Sequence, residues 1–170
     1  MRAYYFGNMY LSSIQQGIQA AHVTAELFSQ YPRYKDQEDI EKQEMLYEWA
    51  QNHKVMILLN AGYGEEIHNL RQTFMIPDNP YPWAAFAESP EALDGALTSV
   101  GIILPEKIYL TAAAIREDRS GDIRREIQDN GTLSIAPGEL FNIEDHGEII
   151  EFSKWEFDFM NRLNRYGLAR

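Results

Sequence analysis

The run from Tyr4 to Phe28 constrains the fold more than any other stretch of the chain. Tyr4, Tyr5 and Phe6 give way to Gly7 and Asn8, and a long helical pattern follows. An aromatic-rich opening of this kind suits a buried strand. Ser12 and Ser13 stand three residues ahead of Gln15 and Gln16, so either pair can close a capping box at a helix start. Ile14, Ile18, Ala21, Ala25 and Phe28 recur at helical spacing and are expected to form the buried face. The spacing predicts a helix over 13–30 that stops at Tyr31-Pro32, because the residue ahead of a proline is pushed out of helical geometry. A strand feeding a helix start gathers backbone N–H groups and hydroxyls where an anion can sit. Ordinary capping produces the same pattern.

The remaining punctuation points to an α/β chain with a mixed sheet. A very polar helix is expected over 36–52, acidic at its start as the helix dipole prefers, with a narrow stripe of Ile40, Met45, Leu46 and Trp49. Residues 54–60 are apolar nearly throughout and are expected to form a central strand. Gly62-Tyr63-Gly64 turns the chain into a helix over 65–74 that carries Ile67, Leu70 and Phe74 inward. Pro77, Pro80 and Pro82 stiffen the next loop, ahead of strands over 81–88 and 97–104, the second stopped by Pro105. Such an order of strands and helices implies a mixed sheet with helices laid on it.

The last third differs in character. It reads as a helix over 106–117, a break at residues 119–122, helical turns over 123–129 and a turn at Asn130-Gly131. Strands over 132–135 and 147–152 follow, with a short one around 140–143 between them. Ser153-Lys154-Trp155-Glu156 is another capping box, opening a terminal helix with Trp155, Phe159 and Leu163 on one side and Gly167 as its stop. The expectation is an α/β core over 1–105 with a C-terminal α+β extension over 106–170 packed on it.

Charge narrows the partners. Acidic residues outnumber basic ones 26 to 15, for a formal charge of −11. Long nucleic acids are held by basic faces that displace counterions, and the densest basic candidate here is Arg116, Arg119, Arg124 and Arg125. A small anionic ligand is therefore favoured over a bulky nucleic acid, with tRNA left open. The chain has no cysteine, which removes disulfides and thiolate metal sites. His22, His53, His68 and His146 are scattered without metal-ligand spacing, so neither metal nor cofactor is expected. No basic-then-apolar leader and no membrane-length apolar run is present, and the expected location is a cytoplasm.

Gln19-Ala20-Ala21-His22 gives a Gln-x-x-His motif on the first helix, and together with the order of elements through Pro105 it resembles the type II peptidyl-tRNA hydrolases over residues 1–105. That family's catalytic lysine would fall at Ser13 or Gln15, and neither is basic. Its Arg-x-Asp segment corresponds to Phe6-Gly7-Asn8, without the charge pair. Its catalytic aspartate falls at Ala87-Glu88-Ser89, where only Glu88 carries a carboxylate, and its threonine corresponds to Thr98 or Ser99. The resemblance thus implies the fold and a pocket, with an altered set of reacting groups.

Glu88 and His22 are the candidate catalytic residues, each able to serve as general base. His22, four residues after Ile18, is expected on the buried side, where a core histidine is the plainer role. Asn8, Tyr10, Ser12, Ser13, Gln15, Gln16, Gln19, Thr98 and Ser99 are the candidate ligand-binding residues. Neutral amides and hydroxyls beside exposed N–H groups can grip a phosphate without a formal cation. Tyr5, Tyr10, Trp83 and Phe86 can stack a base, although core packing is the plainer expectation for each.

Three functions are expected in turn. The first is cleavage, by metal-independent phosphodiester hydrolysis, or sequestration of a small nucleotide-derived ligand; a cyclic nucleotide immune signal met by a phage-encoded counter-defence protein is one setting. The second is a peptidyl-tRNA hydrolase with rearranged catalytic groups. The third is a non-catalytic interaction module, whose extension docks a partner or a second copy in a homo-oligomer.

Overall fold

A computed structural model of the chain describes residues 1–33, 39–139 and 146–169. The chain divides into two compact units, one of Met1–Leu104 together with the residues from Tyr166 onward, the other of Pro105–Arg165.

The first unit is α/β. Strand β1 (Arg2–Gly7) leads into helix α1 (Ser13–Gln30), and α2 (Ile40–Glu48) runs into a single π-helical turn at Trp49–His53. Lys54 ends that turn in the left-handed region at φ 55°. Strand β2 (Val55–Asn60), helix α3 (Gly64–Met75), strand β3 (Trp83–Ala87), the single turn α4 (Pro90–Leu93) and strand β4 (Leu97–Leu104) follow. The two-residue strand β7 (Gly167–Leu168) completes a mixed five-stranded sheet in the order β3-β4-β1-β2-β7. β1 and β2 are parallel, whereas β4 runs antiparallel to both β1 and β3.

Helices cover both faces of the sheet. On one face Ala3 and Tyr5 of β1, Ile103 of β4 and Ala84 of β3 pack with Ala20, Val23 and Leu27 of α1 and with Leu46 and Trp49. On the other, Phe6 lies 6.0 Å from Phe74 of α3 and 5.1 Å from Tyr166, ring centre to ring centre, and Phe74 meets Trp83 at 6.1 Å. Every residue of β4 is buried, as befits a strand paired on both sides and covered on both faces.

The second unit comprises α5 (Glu106–Glu117), α6 (Asp122–Asn130), the antiparallel hairpin β5 (Thr132–Ile135) and β6 (Glu148–Glu151), and α7 (Lys154–Leu163). Asp118 organises the α5–α6 turn by accepting from the Ser120 hydroxyl and from the Ser120, Gly121 and Ile123 N–H groups. Those bonds, the Ser120 hydroxyl foremost and the Ile123 N–H next, hold its carboxyl below the usual aspartate range. The Ser153–Glu156 capping box forms as expected, and the nearly buried Glu156 pairs with Lys107 at 2.7 Å.

Several expectations are corrected. The buried face of α1 is Gln16, Gln19, Ala20, Val23 and Leu27. Ile14 and Ile18 are instead 77% and 50% exposed, Ala21 and Ala25 are exposed, and Phe28 is half-buried. The face is chosen by what lies opposite: Thr98 of β4 and Glu88 just past β3 give Gln19 its hydrogen bonds, while Gln16 tucks beneath Gly7 with its amide on the Leu11 carbonyl. Strand β2 is not central: its outer neighbour is only the two-residue β7, and Val55 and Met56 are over 40% exposed. Gly167 does not stop α7, which ends at Leu163; it pairs with Asn60 as part of β7. Of the stripe expected on the second helix, Leu46 and Trp49 are buried while Ile40 is 45% exposed. Its expected first residues, 36–38, and the short strand around 140–143 lie outside the described residues.

Candidate functional site

Strand pairing gathers the ends of four strands at one end of the sheet. Gly7 stands opposite both Asn60 and Ser99, Phe86 opposite Ser99, and Ala87 opposite Leu97 across an irregularity. The carboxyl ends of β1, β2 and β3 therefore lie together beside the start of β4, and α1, α3 and α4 all begin there. In open α/β sheets, ligands bind outside the carboxyl ends of the strands.

The best-built feature at this end is a chain of three side chains. The Thr98 hydroxyl donates to Gln19 Oε1 at 2.9 Å, with the Phe86 carbonyl a second acceptor at 3.3 Å. Gln19 Nε2 in turn donates to Glu88 Oε1 at 2.7 Å. Thr98 and Gln19 are 4% and 7% exposed, so water cannot substitute for the bond between them. The hydroxyl thereby decides which way round the amide sits and presents its N–H₂ to the carboxylate. Glu88 is half-buried just beyond β3, held by its N–H to the Ala96 carbonyl, and only one of its carboxylate oxygens meets Gln19. A carboxylate fixed at one oxygen, with the other turned elsewhere, is equipped to accept a proton or a ligand hydroxyl.

His22 sits one helical turn beyond Gln19 but not in the core. It is exposed, its ring stacked on Phe86 with centres 4.3 Å apart and planes 11° from parallel. The exposed Ile18 four residues earlier shows why: both belong to the outward side of α1. The stack leaves the imidazole open to solvent beside the strand that leads to Glu88, and occupies a Phe86 face that was a candidate for base stacking.

The helix start itself is filled by its own cap. Ser12 donates its N–H and hydroxyl to Gln15 Oε1 at 2.9 and 3.0 Å, and Gln15 N–H returns to Ser12 Oγ at 3.3 Å. Ser12 is thus the cap, and Ser13 the first helical residue, exposed. Gln16 turns inward, Nε2 donating to the Leu11 carbonyl at 3.2 Å, while its buried Oε1 has no hydrogen-bond partner. It lies under Gly7, where a Cβ would come within 3.2 Å of that oxygen. Asn8 serves the loop, its N–H going to the Thr98 carbonyl at 3.2 Å and its Oδ1 taking the Tyr10 N–H at 3.1 Å. Ser99, 1% exposed, donates to the Phe6 carbonyl at 3.3 Å and ties β4 to β1. Of the eleven expected site residues, Gln19, Glu88 and Thr98 form the bonded chain and His22 flanks it; the cap, loop and sheet employ the other bonded side chains.

Among the aromatics, Tyr5 is core. Thr24 gives its hydroxyl proton to the Ala20 carbonyl at 2.8 Å, so Tyr5 donates to Thr24 at 2.7 Å. Burial raises the Tyr5 pKa. Tyr10, expected in the core, is 79% exposed because its loop projects beyond β1, and its ring lies 5.0 Å from that of Tyr63, itself 48% exposed. Tyr63 was not among the expected residues. An aromatic between Gly62 and Gly64, in the turn after a parallel strand, is the signal that marks it.

No helix among the described residues is long and apolar enough to cross a membrane. No protein-family model matches the chain, and no curated protein matches its sequence.

Proposed function

We propose that the first unit binds a small nucleotide-derived ligand at the carboxyl ends of β1, β2 and β3, and cleaves it by metal-independent phosphodiester hydrolysis with Glu88 as general base. The observation that carries this reading is the hydrogen-bonded chain from Thr98 through Gln19 to Glu88. A water held by the free side of the Glu88 carboxylate attacks phosphorus and gives its proton to Glu88. The bond from phosphorus to the departing ester oxygen breaks, and solvent protonates that oxygen at this open end of the sheet. An acidic chain suits a small ligand, whose few charges meet less repulsion than a long polyanion would. Removal of a cyclic nucleotide immune signal by a counter-defence protein is a role such chemistry would serve.

The test is a panel of mono- and cyclic nucleotides, followed for thermal stability and product formation together. A ligand at a hundred times its dissociation constant adds about 2.7 kcal/mol of stability. Glu88→Gln should keep that shift and lose turnover. A shift without turnover in the native protein means sequestration; no shift and no turnover anywhere in the panel ends the proposal and leaves the interaction module.

A second reading, ester hydrolysis on peptidyl-tRNA, has its own support. Gln19 belongs to the motif that carries the resemblance to type II peptidyl-tRNA hydrolases, Glu88 stands where that family's aspartate would fall and Thr98 is a candidate for its threonine, and the three meet although Thr98 is 79 residues from Gln19. It predicts release of tRNA from a peptidyl-tRNA mimic, abolished by Glu88→Gln. An inert mimic beside a turned-over nucleotide rejects this reading and keeps the first.

A further inference from the structure

The second unit has a cavity of about 610 Å³ between α6, the start of β6's exit and α7, and its lining is unlike the rest of this acidic protein. Arg124 of α6, Lys154 at the start of α7 and Arg165 just past its end face it, against one carboxylate, Asp158. Asp158 is already matched by Lys154 at 2.5 Å. Elsewhere in the unit Lys107 pairs with Glu156, Arg116 with Glu117 and Arg125 with Asp122. Among the described residues neither Arg124 nor Arg165 is in an ion pair. Two unpaired guanidinium groups on one concavity, in a chain with 26 acidic residues to 15 basic, are a local reversal of charge. The other wall is apolar, built by Ile127, Phe152 and Phe157.

We propose that this cavity is a binding site for a small phosphomonoester with a planar apolar body. Guanidinium forks match phosphate oxygens with paired, charge-assisted hydrogen bonds. The phenylalanines offer the apolar body a surface to leave water against, and the volume falls in the range of small-molecule sites. The site lies wholly in the second unit and is independent of the Glu88 chemistry.

Phenyl phosphate is the minimal probe, with inorganic phosphate and phenol as its two halves. Titrated calorimetrically into the full-length protein, phenyl phosphate should bind saturably, inorganic phosphate about tenfold more weakly, and phenol not measurably. Arg124→Gln/Arg165→Gln should weaken phenyl phosphate by about tenfold or more, since each loses a charge-assisted contact. Arg116→Gln/Arg119→Gln makes the same change in net charge outside the cavity and should leave affinity within about twofold. All four arginines are exposed, and matching circular dichroism and melting temperature establish that both variants fold. No saturable binding up to about 10 mM phenyl phosphate, or equal loss in the two double variants, overturns the assignment. So does phenol binding as tightly as its phosphate.

Discussion

Thr98→Val tests whether the Thr98–Gln19–Glu88 chain is a built unit or three neighbours. Valine keeps the branched shape and strand propensity of threonine but removes the donor. The hydroxyl is buried, at 4% residue exposure, and Gln19 behind it is at 7%. The Gln19 carbonyl oxygen is then left without its 2.9 Å donor in a place water does not reach. An orphaned buried acceptor costs about 1–3 kcal/mol. Gln19→Leu is milder, because Thr98 keeps the Phe86 carbonyl as acceptor at 3.3 Å and the half-buried Glu88 can turn to water. Its expected cost is about 0.5–1.5 kcal/mol. Removing both partners leaves nothing orphaned between them, so the double variant should cost less than the two singles together, by about 1 kcal/mol or more. Urea unfolding followed by tryptophan fluorescence gives the four stabilities. Trp49 and Trp83 report on this unit, and amide exchange in β1 and β4 separates it from the unit that holds Trp155. Additivity within about 0.5 kcal/mol would refute the reasoning, since groups that share a bond cannot be independent.

Three further outcomes follow from the same packing. Leu27→Ala, on the face of α1 that is fully buried, should cost about 2–5 kcal/mol, whereas Ile14→Ser, 77% exposed, should stay within about 0.5 kcal/mol in chemical denaturation. Gly101→Ala places a Cβ 2.8 Å from Val23 Cγ1 and 2.9 Å from Tyr5 Cδ1, both side chains immobile in the core, and should lose about 1–3 kcal/mol. Gly17→Ala, with nothing near it on exposed helix, should gain about 1 kcal/mol, so opposite shifts in urea midpoint are expected from one chemical change. Tyr31 gives a pH dependence: burial, countered by a hydrogen bond to the Trp83 backbone and reinforced by the Asp39 charge, pushes its pKa from 10.0 to about 12. The fold prefers the neutral phenol, so its contribution is intact below pH 10 and falls as pH rises toward 12, once the unfolded chain releases a proton that the fold retains. Tyr31→Phe should flatten that decline in stability measured across the alkaline range.

Where elements begin and end was legible in the residues themselves. The limits of α1, α5, β4 and β5 agree with the spacing because serine caps, Pro32 and Pro105, and the Asn130-Gly131 turn act within a few residues. Short-range hydrogen bonds and proline sterics need nothing from the rest of the chain. The side of α1 that goes inward is another matter. Ile14 and Ile18 satisfy a helical period as well as Ala20, Val23 and Leu27 do, and only the sheet opposite, with Thr98 and Glu88 ready for Gln19, makes the Gln19 side of the helix the better one to bury. The rank of β2 in the sheet and the return of Gly167 to it depend likewise on pairing between distant segments. Motif spacing named Gln19, Glu88 and Thr98 as candidates, but the bond order that leads from hydroxyl through amide to carboxylate belongs to the folded chain. Burial and long-range pairing are settled over all residues at once, which is why a local pattern marks where a helix lies and not which way it faces.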